Sequence, residues 1–136
     1  MLEEVGIKVE IEVLEWSAYQ SRIWAADNIE HFVLMGLGNS MFDHWFSMRA
    51  LMCEGAYRNR VHWCHERFDE LMLASEVEVD EEAREELLHE ASYIVLEERP
   101  WITLFQLQNL NAVANDVDWT PRPDELLWMF DAQPAN

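Results

Sequence analysis

Four side chains of the kinds that bind zinc or form disulfides, Cys53, His62, Cys64 and His65, crowd into one short stretch of the sequence. Zinc takes about four tetrahedral ligands from cysteine, histidine and carboxylate. The run His62-Trp63-Cys64-His65 packs three donors too closely for all of them to face one ion, so a zinc-binding domain on these four residues is only an alternative reading. Cys53 and Cys64 by themselves allow simpler chemistry. Joined, they would close a short loop, which contributes roughly 2–3 kcal/mol in the chain-entropy account, and would imply an oxidising compartment. Unjoined, they would be two thiols, one of them buried. Spacing leaves both open. No His-Glu-x-x-His, nucleophile elbow or Gly-rich phosphate loop occurs, and His89 and Glu90 fall on the solvated side of a helix. The expectation is a protein that is not an enzyme, with no cofactor and no metal.

The second chemically interesting group is Leu37, Gly38, Asn39, Ser40, Met41, Phe42 and Asp43, together with Trp16 and Tyr19 further back. Gly38 lets a backbone approach closely, Asn39, Ser40 and Asp43 offer polar groups, and Met41, Phe42 and Trp16 offer apolar or stacking surface. A few polar groups among aromatic walls is the usual make-up of a small-molecule site. Any one of Trp16, Phe42 and Trp45 reads equally well as a core residue; as a group they read as a binding rim.

The elements that must position this rim follow from periodicity. Ile7, Val9, Ile11 and Val13 alternate with Lys8, Glu10 and Glu12, a period of two that predicts a half-buried strand over 7–14. Trp16, Tyr19, Ile23 and Ala26 change to helical spacing, predicting a helix over 15–27. The nearly all-apolar run 31–36 predicts a strand covered on both faces. Strand, helix, strand predicts a βαβ unit with parallel strands, whose ligand crevice lies at the carboxyl ends of the strands, where the Trp16 and Leu37–Asp43 groups would meet. Asp43 should cap a short helix through Trp45, Phe46 and Arg49. Phe68, Leu71, Met72 and Ser75 mark one side of a helix over 66–76. Ala83, Leu87, Leu88, Ala91, Ile94 and Val95 form the apolar stripe of a helix from Asp80 to Arg99, stopped by Pro100. Extended segments are expected at 101–106 and 110–113, and a Pro-punctuated tail closes the sequence. The fold class expected is α/β, a mainly parallel sheet of about four strands with flanking helices.

Composition bounds the partners. The 136 residues are 50% hydrophobic with seven Trp, enough for a core and too apolar for global disorder. Asp and Glu number 27 against 9 Lys and Arg, a formal charge of −18. Such a surface repels phosphate, which makes nucleic acid and anionic membrane poor partners. Lys8 is the only lysine, and an acidic, lysine-poor surface suits high salt. No apolar run reaches the ~18–20 residues of a membrane helix, and no basic-then-apolar leader is visible at the start.

The order of motifs resembles a family. Leu2-Glu3-Glu4-Val5-Gly6-Ile7-Lys8-Val9-Glu10-Ile11 and the following Glu15-Trp16-Ser17-Ala18-Tyr19, then Met35-Gly36-Leu37-Gly38, Phe68-Asp69-Glu70-Leu71, Asp80-Glu81-Glu82-Ala83-Arg84, Glu98-Arg99-Pro100-Trp101-Ile102-Thr103-Leu104-Phe105 and Val117-Asp118-Trp119-Thr120-Pro121 resemble, in order, segments of the extracytoplasmic solute-binding proteins of peptide/nickel ATP-binding-cassette importers. The resemblance implies that residues 1–120 form part of the C-terminal lobe of a two-lobed (class II) binding protein and residues 121–136 a tail returning toward the first lobe. It implies capture of a peptide or other small solute between two lobes, delivery to a membrane permease, and a place in the periplasm or at the cell surface. It further implies a Cys53–Cys64 disulfide, since some members carry such a pair, with a Trp-Cys like Trp63-Cys64, around this loop. The aspartate that pairs with a peptide's amino terminus in peptide-binding members falls at Ser40 here and the family tryptophan at Leu37, while Asp43 is retained and its following proline becomes His44. A sugar-like ligand held by hydroxyl and amide groups is therefore open beside a peptide. A cut lobe leaves an exposed apolar face, so the chain is also expected to self-associate, and a free-standing acidic interaction module is the remaining alternative.

Overall fold

A computed structural model describes residues 2–24 and 32–135 of the chain. The ordered elements are mostly helices: α1 (Trp16–Trp24), α2 (His44–Met48), α3 (Arg58–Val61), α4 (Glu66–Val77) and α5 (Glu81–Glu98). Two short strands follow, β1 (Val117–Asp118) and β2 (Gln133–Pro134). They pair antiparallel, Val117 opposite Pro134 and Asp118 opposite Gln133.

Each longer helix starts where a side chain can satisfy free amides of its first turn. Asp80 caps α5 by accepting from the Ala83 N–H at 2.9 Å, and Arg99 ends it in a left-handed conformation (φ 52°) just before Pro100. His65 caps α4 through Nδ1, which accepts from the Phe68 N–H at 3.2 Å. Asp43 caps α2 by accepting from the Trp45 N–H at 2.8 Å, the role its position suggested. Before α1, the Glu15 carboxylate accepts from the Ser17 N–H at 2.9 Å and from the Ser17 hydroxyl. Those bonds hold its carboxyl below the usual range.

The core lies between α2, α4 and α5, with the turn after α2. Met48, Leu51, Phe68, Leu71, Met72, Leu88, Ala91 and Val95 are buried together. Leu87 and Ile94 pack against them as half-buried residues, so the stripe read from the spacing of α5 does face the core. On α4, Phe68, Leu71, Met72 and Ser75 are the buried set the sequence indicated. A disulfide joins Cys53 to Cys64, with Cα atoms 4.6 Å apart, and fastens the turn after α2 to the start of α4. Inside the closed loop the chain doubles back tightly. The Gly55 N–H donates to the Met52 carbonyl at 2.6 Å, and a Cβ on Gly55 would lie 2.6 Å from the carbonyl oxygens of Arg49 and Ala50. Trp63, next to Cys64, meets the Phe68 ring edge-on at 5.1 Å.

The expected α/β fold is overturned. Among the described residues there is no parallel pairing and no sheet beyond β1–β2. Residues 7–14, 32–36, 101–106 and 110–113 belong to no ladder, so no βαβ unit forms. The reason is that alternation reports which side chains avoid water, whereas a strand also needs a neighbour for its N–H and C=O groups. These segments find none among the described residues, and their apolar side chains stay outside: Ile11 is 81% exposed, Val13 88%, Phe32 96% and Leu110 95%. The end of the helix expected over 15–27, with Ala26 and Asp27, and the strand start at His31 lie outside the described residues.

Candidate functional site

The loop 37–43 is held at both ends. Asn39 folds it, its Nδ2 donating to the Asp43 carbonyl at 2.8 Å, and the Phe42 N–H donates back to the Asn39 carbonyl at 3.3 Å. Phe42 takes a left-handed backbone (φ 54°) to make this reversal. Because Nδ2 faces a carbonyl, Oδ1 must point the other way; it is buried and has no hydrogen-bond partner among the described residues. Met41, Phe42 and Leu37 are exposed, as are Ser40 and Gly38.

Asp43 ties the loop to the helical core. Both its oxygens accept from Arg84 Nη2, at 3.0 and 2.8 Å, while one also caps α2. The same guanidinium donates through Nε to the Ser75 carbonyl at 3.0 Å, so Arg84 of α5 spans the start of α2 and the last turns of α4. Chiefly through the Arg84 hydrogen bonds, the Asp43 carboxyl is held below the ordinary aspartate range. Arg84 is a residue the sequence reading had not connected with the site. The two lie 41 positions apart, and no local pattern announces a charge pair across such a span. Next to Asp43, His44 Nε2 lies 2.7 Å from Ser92 Oγ, whose hydroxyl donates to the Leu88 carbonyl at 2.7 Å. Burial pushes the His44 imidazole down from its ordinary value, with nearby His89 adding to the effect.

Trp16 and Tyr19 stack with centroids 5.6 Å apart. The Tyr19 hydroxyl donates to the Leu34 carbonyl at 3.0 Å, so this aromatic pair sits beside the segment that leads into the loop. Burial pushes the Tyr19 phenol up. On the other side, Cβ atoms placed on Gly36 and Gly38 would meet Leu107 Cδ1 at 3.3 Å and Glu125 Oε2 at 3.5 Å. The exposed side chains of Trp16, Met41 and Phe42 offer apolar surface, while Asn39 Oδ1 is closed to solvent. A separate, half-open cleft of about 270 Å³ is lined by Asn111, Ala112, Val113, Ala114, Val117, Trp119, Leu127 and Met129, and no residue of 37–43 reaches it.

The zinc alternative loses its ligands. Both cysteine sulfurs are spent in the disulfide, and His65 Nδ1 is occupied as the α4 cap. Among the described residues, no group of three His, Cys, Asp or Glu could hold a metal ion.

The chain is similar to a peptide-binding protein. Over 105 residues, 76% of this chain, it is 30% identical to Di/tripeptide-binding protein 2 of Pseudomonas aeruginosa (strain UCBPP-PA14). The chain spans about a fifth of that relative's length, the matched stretch being 20% of it. No family model matches the chain, and no solved structure does. No helix among the described residues is long and apolar enough to cross a membrane.

Proposed function

We propose that this chain is part of a solute-binding protein that captures a di- or tripeptide, or a solute of similar size, between two bodies and passes it to an ATP-binding-cassette permease outside the cytoplasm. The similarity to a di/tripeptide-binding protein over three quarters of the chain carries this reading. In it, loop 37–43 with Trp16 and Tyr19 supplies one wall of the site: Met41, Phe42 and Trp16 bear on the apolar part of the solute, and the exposed Ser40 offers a hydroxyl. Asp43 is already engaged by Arg84 and the α2 amide, so its main part in this reading is to anchor the loop. Affinity in a two-sided site comes from contacts made on both sides at closure, so one wall alone binds weakly.

Amide NMR spectra of the 136-residue chain, titrated with Ala-Ala and Ala-Ala-Ala into the millimolar range, test the reading. Shifts confined to residues 16–19 and 37–43, with an affinity in the millimolar range, are expected. Shifts elsewhere, or no response to any di- or tripeptide, overturn the site; submicromolar binding by this chain alone overturns two-sided capture.

A further inference from the structure

We propose that residues 7–11 form a self-complementary edge that pairs antiparallel with the same residues of a second copy of this chain, centred on Val9. The segment runs from Ile7 to Glu15 without a turn or a bend, after a 3-10 turn (Glu3–Val5) that ends at left-handed Gly6. Ile7 donates its N–H back to the Leu2 carbonyl, and beyond it the main chain of 8–14 makes no backbone hydrogen bond among the described residues. Ile7, Val9, Ile11 and Val13 are 49%, 42%, 81% and 88% exposed. A straight stretch of free N–H and C=O groups carrying an apolar face is a template for strand addition.

Charge decides what the template accepts. Side chains of paired strands must keep apolar opposite apolar, which removes every register that sets odd positions against even ones. A parallel in-register pair sets Lys8 on Lys8 and Glu10 on Glu10. Antiparallel pairing centred on Lys8 sets lysine against lysine. Centring on Glu10 sets glutamate against glutamate and draws on Glu12, already in an ion pair with Arg22 at 2.6 Å. Centring on Ile11 sets Glu10 against Glu12 twice. Centring on Val9 alone sets Lys8 opposite Glu10 twice, Ile7 opposite Ile11 twice, and Val9 opposite itself. Opposite charges across a pair stabilise it and like charges oppose it. The Val9-centred register is therefore the one in which a second copy complements this edge. It is a weak association, since each copy carries a formal charge of −18. Long-range repulsion is screened beyond about 8 Å at physiological salt, while the contacts of the pair are not.

Sedimentation velocity of the 136-residue chain in 0.15 M salt, across micromolar to millimolar concentration, should show a monomer–dimer equilibrium. Glu10→Lys should weaken it by about tenfold, and Lys8→Glu combined with Glu10→Lys should restore it, since the swapped pair is again complementary. Val9→Cys should cross-link to a covalent dimer under mild oxidation faster than Val13→Cys, because only position 9 faces itself. A chain that stays monomeric throughout overturns the proposal. So does failure of the charge swap to restore association, or equal cross-linking at positions 9 and 13.

Discussion

Breaking the Cys53–Cys64 bond should cost the chain a large share of its stability. The bond closes a loop with a sequence separation of 11, and the loop-entropy relation gives about 3 kcal/mol for a loop of that size. Domains of this length are stable by only about 5–15 kcal/mol. The structure adds a local reason for a loss of this order. The loop holds the tight Gly55 reversal, the Cys53 N–H donates to both Asp69 carboxylate oxygens at 3.2 Å, and Trp63 packs on Phe68 at the centre of the core. Urea unfolding of the native chain and of the double variant Cys53→Ala, Cys64→Ala, followed by tryptophan fluorescence and by circular dichroism, measures the difference. With a denaturant slope of about 1.5 kcal/mol per M, the midpoint should fall by about 2 M. Hydrogen exchange should show amides of 53–65 losing protection before those of α4 and α5. A midpoint shift below about 0.5 M, or equal loss of protection in the loop and in both helices, would refute the argument that the bond acts by restraining this loop.

Three other outcomes follow from the same geometry. Asp43→Asn keeps a capping oxygen and removes the charge, so it should cost about 1 kcal/mol in chemical denaturation, and Asp43→Ala, which removes the cap as well, about 2 kcal/mol; equal costs would mean the Arg84 pair contributes nothing. Stability should fall with acid in two steps. His44 is pushed down on folding, so the unfolded chain takes up the proton first and stability drops as pH falls below about 6.5; Asp43 is also pushed down, so its contribution is lost as pH falls below about 4. His44→Gln should remove the upper step and Asp43→Asn the lower one, read from melting temperature against pH. Gly55→Ala should destabilise by about 2 kcal/mol, because its Cβ would meet two backbone carbonyls at 2.6 Å; a melting temperature unchanged by this substitution would show that the turn relaxes freely.

The helices were legible in the sequence because their signals are local. A capping aspartate, an apolar stripe and a terminating proline all lie within α5 itself, and Asp43 announced α2 in the same way. The sheet was not legible, because pairing is a property of two segments. Ile7 to Val13 carries the alternation of a strand and pairs with no described segment, whereas Val117–Asp118 and Gln133–Pro134, which do pair, show no alternation and include a proline. The Cys53–Cys64 bond was suggested by family resemblance and is present, although spacing alone left it open. Of the binding group, the structure links Tyr19 to Leu34 and Asn39 to Asp43. The Arg84 anchor of Asp43 and the imidazole cap of α4 escaped notice, the first for its distance along the chain and the second because histidine is an uncommon helix cap.

Lys8 is the single side-chain amine in the sequence, and it stands exposed in the straight segment after Gly6. Amine-directed chemistry on the side chains therefore lands at one address. A fluorophore or spin label attached there needs no engineered cysteine and leaves the native disulfide alone. Because acylation removes the charge that faces Glu10 in the proposed pair, the label would report solvent access at this edge in the single copy.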